Sequence, residues 1–188
     1  MHHLTKLIPF EHCNIVEYGD VEFSGFNHSD RLNDIYKAYS RIKDAGVFPL
    51  SIGGEHTATY PILKALARDE PFALIHLDAH CDTTGLFSDD PSETHDGNFA
   101  TRCVMDGLVD PERTIQIGIR GSGSWAWEFS EDTGMRVVYA EEVQERGIHA
   151  IIAEAREIVG PHPFYLTVDV DSIEPTFLPG TTVPEPFG

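Results

Sequence analysis

Two short strings restrict the fold of this 188-residue chain more than any other feature: Leu77-Asp-Ala-His-Cys-Asp82 and Val168-Asp-Val-Asp171. Each closes an apolar, β-prone run, residues 72–77 in the first case and 164–168 in the second. Side chains alternate faces along a strand, so residues i and i+2 point the same way. Asp78 and His80 therefore lean to one side of a strand end, and Asp169 and Asp171 do likewise. Four carboxylates (Asp78, Asp82, Asp169, Asp171) gathered without cations would repel one another and raise each other's pKa values. A pair of divalent metal ions removes that penalty. The two strings thus ask for a fold that brings two strand ends together around metal.

Helical periods separate the apolar runs. Leu32, Ile35, Tyr36, Tyr39 and Ile42 fall on one stripe that starts near Ser29 and stops at Gly46. A second helix is expected over 59–67, with Pro61 tolerated in its first turn, a short one over 100–105, another over 125–132, and a fifth over 148–159. Strands are expected at 47–52, buried despite Pro49, and at 72–77, 114–119, 136–139 and 164–168. Residues 1–28 read as irregular, and 83–97 as a polar loop. Strands alternating with helices imply a three-layer α/β/α domain with a mainly parallel sheet, whose ligands gather at the carboxyl ends of the strands. Residues 1–188 read as one such domain, incomplete at its C-terminus, because the chain stops inside a Pro/Gly-rich loop.

Thirteen Lys and Arg against 31 Asp and Glu give a net charge of −18. That excludes a nucleic-acid or anionic-membrane partner, whose phosphates need a basic surface, and leans toward a cationic substrate. Three unpatterned cysteines, Cys13, Cys81 and Cys103, suit a reducing cytosol. No secretory pattern and no apolar run of about 20 residues is present. A cytoplasmic protein is the expectation.

A third strand end carries a ligand-type side chain, His56 after Gly53-Gly54-Glu55. The strings Gly-Gly-Glu-His, Asp-Ala-His-Cys-Asp and Thr-Val-Asp-Val-Asp-Ser-Ile-Glu-Pro together resemble the ureohydrolase family of arginases and agmatinases, in its order and approximate spacing. Gly118-Ile-Arg120 and Pro179-Gly180-Thr181 are similar to agmatinase-type members. The resemblance implies two Mn2+ ions, one held by His56, Asp78, Asp82 and Asp169, the other by His80, Asp78, Asp169 and Asp171. Asp78 and Asp169 would bridge. It further implies that His95 shuttles a proton, that a linear guanidino compound is the substrate, and that the protein is a homo-oligomer, trimer or hexamer. Carboxylate oxygens with one imidazole per metal independently suit Mn2+ better than a thiolate-preferring ion. Departures from the family pattern are Glu55 and Glu174 in place of Asp, Asp96 in place of the Gly after His95, and Val183 and Phe187 in place of small residues. The family's guanidinium-binding Glu would lie beyond residue 188.

Agmatine, hydrolysed to putrescine and urea, is the expected substrate. Asp89, Asp90 and Glu93 make the loop before His95 acidic, which suits a free ammonium and repels a carboxylate. Guanidinobutyrate and guanidinopropionate are the alternatives. A non-catalytic metal-binding member, or a one-zinc amide deacetylase, are the competing classes, the latter disfavoured by the doubled Asp motif. His76 reads as a packed core histidine, Cys81 as a small buried side chain, His2, His3, His12, His28, His149 and His162 as surface residues, and Trp125 and Trp127 as packing or subunit contacts. Gly53-Gly54 is a tight turn, since no Gly-Lys-Ser/Thr follows it.

Overall fold

Four parallel strands form the centre of the protein in a computed structural model that describes residues 2–85, 90–121 and 127–188. They are β1 (Phe72–Leu77), β2 (Val109–Ile119), β3 (Arg136–Tyr139) and β4 (Phe164–Val168), in the spatial order β3-β2-β1-β4. β1 is central, pairing Ala73–Leu77 with Phe164–Val168 on one side and Leu74–Leu77 with Thr114–Ile117 on the other. The helices are α1 (Pro9–His12), α2 (His28–Asp44), α3 (Thr59–Leu66), α4 (Phe99–Met105), α5 (Glu128–Asp132), α6 (Ala140–Arg146) and α7 (Ile148–Val159).

Alternation along β1 makes this a three-layer domain. Leu74 turns to one face and packs with Tyr60 and Leu63 of α3 and with Phe99, Ala100 and Cys103 of α4. Ile75 and Leu77 turn to the other and meet Ile151, Ala155 and Ile158 of α7 and Val143 of α6. Each fully buried aliphatic side chain of this kind contributes roughly 1.5–3 kcal/mol of transfer free energy. α2 lies on α3 and starts where Asn27 accepts the Asp30 N–H. Among the described residues, no helix is long and apolar enough to cross a membrane.

The strands expected at 72–77, 136–139 and 164–168 and the helix at 148–159 stand at those boundaries. β2 starts five residues earlier than expected. Its register with β1 shifts between the Phe72–Val109 and Leu74–Thr114 pairs, and the polar insertion 110–113, held by an Arg113–Asp110 ion pair, hides the strand from an apolar pattern. Residues 47–52 are not a strand. Phe48, Leu50 and Ile52 are 95–98% exposed, and the segment pairs with no described strand. Apolar content cannot make a strand without a ladder partner, and Pro49 supplies no N–H to one. α1 interrupts the region read as irregular. α6 escaped the periodic reading because only Ala140 and Val143 face inward, while Glu142 and Arg146 pair one turn apart on its surface. Of the helix expected over 125–132, the described part is α5, and Trp125 lies outside the described residues. Trp127 packs edge-on against Tyr139, ring centroids 6.2 Å apart.

Candidate metal centre

β1 and β4 end side by side, and their next residues leave the sheet in tight turns rather than continuing as strands. Asp78 Oδ1 accepts the His80 N–H at 2.7 Å, bending 78–80 over the end of β1. Asp169 Oδ1 accepts the Asp171 N–H at 3.0 Å and so caps the 3-10 turn Val170–Ser172. Asp171 Oδ1 in turn accepts the Ala79 N–H at 3.0 Å, tying the two turns together. Asp82 sits at φ 51°, a left-handed conformation that Asp tolerates better than most residues. The strand ends are adjacent as expected, but turns rather than strand alternation bring the carboxylates together.

His56 opens the 3-10 turn that leads into α3. Its Nδ1 lies 3.0 Å from Asp82 Oδ2, 3.1 Å from Asp78 Oδ2 and 3.3 Å from Asp169 Oδ2. That nitrogen is buried and makes no well-aligned hydrogen bond; His56, Asp78 and Asp82, with His76, bring their ligand atoms within reach of one small space, and Asp169 approaches it beside His56. A divalent cation fits such a donor set. His80 forms the second group: its Nδ1 is 3.1 Å from Asp171 Oδ2 and 3.5 Å from Asp78 Oδ1. Asp78 is common to both groups. Asp169 reaches the first group through Oδ2, while its Oδ1 is occupied by the turn it caps.

Charge in the ion-free protein follows from this crowding. Burial disfavours an imidazolium at His56, but Asp169, Asp78 and Asp82 outweigh it and push its pKa up to about 11. Asp171 and then Asp78 raise His80 to about 11 against the opposing effect of burial. Burial pushes Asp78 upward, yet His76, His56 and His80 together hold it well below the usual carboxylate range. Asp169 is lowered by His56, whereas burial raises Asp82 and Asp171. Protons on two imidazoles stand in for part of the positive charge that a cation pair would supply.

Three supporting residues were not singled out as functional from the sequence. Thr167 Oγ1 takes the Nε2 of His56 at 2.8 Å, which leaves Nδ1 facing the carboxylates. His76 is fully buried, as expected of a core residue, and packs edge-on against His56 and Phe99. Its polar bonds were missed: Nε2 donates to Asp78 Oδ2 at 2.7 Å, and Nδ1 accepts from Gln116 Nε2 at 3.1 Å. Both residues stand two positions before an Asp, and that spacing is the signal that could have found them. The third, Glu185, places Oε1 3.4 Å from His80 Nε2, and nothing in its local sequence announces it. Cys81 is buried against Ile119 and Val137, and burial raises its thiol to about 12, as suits a packed side chain. His95 stands apart from both groups. Its ring is half exposed, with Nδ1 3.5 Å from Asp96 Oδ1, and its backbone starts the 3-10 turn Asp96–Asn98, which packs against the turn bearing His56.

Gly121 lets β2 approach this cluster. A Cβ there would lie 2.5 Å from His80 Cδ2 and 3.2 Å from the Ala79 carbonyl oxygen. Gly121→Ala is expected to displace the His80 ring and to cost about 1–3 kcal/mol through overpacking. Thermal melting together with Mn2+ titration checks this. An unchanged melting temperature with unchanged Mn2+ binding would show that the ring has room to move.

A parallel sheet with carboxylates and imidazoles crowded at its carboxyl edge makes this an α/β domain with a candidate metal centre. The chain belongs to the Arginase family, whose model matches residues 1–188. It is 40% identical to a guanidinopropionase of Pseudomonas aeruginosa, a match covering 98% of this chain and 58% of that protein. It is 38% identical to a mitochondrial agmatinase of Gallus gallus, covering 98% and 54%. The crystal structure of a hypothetical agmatinase from Burkholderia thailandensis superposes with a TM-score of 0.83 at 35% identity, covering 96% of this chain and 55% of that one. The chain spans about half the length of the curated relatives it matches.

Proposed function

We propose that the protein hydrolyses the C–N bond of a linear guanidino compound, with agmatine as first substrate and two Mn2+ ions as cofactors. The observation that carries this reading is the pair of converging ligand groups that share Asp78. His56, Asp78, Asp82 and Asp169 would hold one ion, and His80, Asp78, Asp169 and Asp171 the other. When bound, two divalent ions supply Lewis acidity and acidify a water molecule. The water oxygen bonds to the guanidinium carbon, the bond from that carbon to the substituted nitrogen breaks, and urea and an amine leave. The departing amine needs a proton, and the half-exposed imidazole of His95, just before the turn that packs against the one bearing His56, would deliver it. Residues 1–188 would then be part of a single catalytic domain working in a cytoplasmic homo-oligomer.

The preference for agmatine rests on charge near His95. Asp90 and Glu93 are exposed, and the Ser92 N–H holds the Asp90 carboxyl below its ordinary value; Asp89 lies outside the described residues. Such carboxylates attract an ammonium and repel a second carboxylate, and salt screens both effects. That bias favours agmatine over guanidinobutyrate. Similarity to a guanidinopropionase supports the guanidino-acid alternative. Urea release from a panel of guanidino compounds with Mn2+ tests the reaction, and the ratio of kcat/KM for agmatine and guanidinobutyrate at rising salt tests the substrate. A preference for agmatine that shrinks with salt is expected. A preference for the acid at low salt would assign the protein to guanidino-acid hydrolysis.

A further inference from the structure

The two imidazoles of the cluster face the same kinds of partner, although His56 is hydrogen-bonded through Nε2 and His80 through Nδ1. Each turns Nδ1 toward the carboxylates and presents Nε2 to an oxygen on the opposite side of the ring. For His56 that oxygen is Thr167 Oγ1. For His80 it is Glu185 Oε1. A histidine binds metal through one nitrogen while the partner of the other nitrogen sets its tautomer and its ring angle, and a carboxylate partner also raises its basicity.

Glu185 is brought to this position by an arginine that spends its hydrogen bonds on backbone carbonyls. Arg120, just past the end of β2, donates from Nη2 to the Asp171 carbonyl at 2.7 Å and to the Glu185 carbonyl at 2.8 Å. Its Nε donates to the Pro186 carbonyl at 3.0 Å. One guanidinium therefore staples the 185–186 segment to the turn that carries Asp171. Glu174 secures the far side, where its Oε2 accepts the Phe187 N–H at 2.7 Å. The segment that delivers Glu185 is thus referenced to a residue of the same ligand group as His80.

Building on the two-ion reading above, we propose that Glu185 is a positioning residue: its carboxylate accepts the Nε2–H of His80 and presents Nδ1 as the donor to the ion held with Asp78 and Asp171. Arg120 sets its reach by fixing the backbone. His80 is the more exposed of the two imidazoles, with a quarter of its side chain open against 7% for His56. It has the greater need of an external partner to hold its ring.

Calorimetric Mn2+ titration of the metal-stripped protein tests this without any activity measurement. Wild type is expected to bind two equivalents. Glu185→Ala should weaken one of them 10–100-fold, the usual effect of losing such a partner, and leave the other unchanged. Glu185→Gln keeps an acceptor oxygen and should recover most of the lost affinity. Two equivalents bound with wild-type affinities in Glu185→Ala would overturn the assignment of Glu185 while leaving the two-ion reading standing. Equal weakening of both ions, with a lower melting temperature of the ion-free protein, would make Glu185 a general brace for the loop and also overturn it. Failure of wild type to bind Mn2+ would remove the two-ion reading and this assignment with it.

Discussion

Asp78→Asn is expected to empty both metal positions at once. Asp78 is common to the two ligand groups, with Oδ2 3.1 Å from His56 Nδ1 and Oδ1 3.5 Å from His80 Nδ1. Neutralising it removes a charge from both groups and leaves the buried His76 donor facing an amide. Metal analysis after dialysis against Mn2+ should give a content near zero, whereas Asp82→Asn, which touches the first group alone, should retain one equivalent. Asp169→Ala is expected to resemble Asp78→Asn by a different route. It deletes a ligand beside His56 and uncaps the turn that carries Asp171. Two full equivalents in Asp78→Asn would refute the sharing.

His95→Ala is expected to keep both ions and to lose about 10²–10⁴ in kcat, the usual worth of a positioned general acid or base. Two bonds that hold the backbone there survive the substitution: the His95 N–H donates to Asn98 Oδ1 at 2.8 Å, and the Asn98 N–H to the His95 carbonyl at 3.1 Å, while the side chain's own share in capping this turn is lost. Steady-state kinetics alongside metal analysis read the two effects separately. Full activity in this variant would pass the proton to Asp96 or to bulk water.

What could be read from the sequence was whatever a short period or a short spacing encodes. β1 and β4 are apolar runs with sharp ends, and Asp78, His80, Asp82, Asp169 and Asp171 follow them at spacings of two, so these two strands and five ligand-type residues were legible. The failures share a cause, which is dependence on a distant partner. Residues 47–52 have the composition of a strand but no described neighbour to pair with. β2 begins behind a polar bulge whose register is set by β1. Parity brought His76 to the right face, but its bond to Asp78 depends on Gln116, forty residues away, to fix the tautomer. Glu185 reaches His80 only because Arg120, 65 residues earlier, holds its backbone. No local pattern carries such information.

The tie between the Asp171 carboxylate and the Ala79 amide joins residues 92 apart in the chain, and this separation bears on when the centre can exist during folding. Closing so long a segment carries an entropic cost that grows by about 0.6 kcal/mol for each doubling of its length. Contacts of this span form late and slow the search for the native topology. The acids are therefore scattered along a nascent or unfolded chain and are gathered into one cluster only after β4 has docked beside β1. Any ion gripped there acts on a sheet that is already assembled. It would retard disassembly rather than hasten assembly, and so would lengthen the kinetic lifetime of the native state.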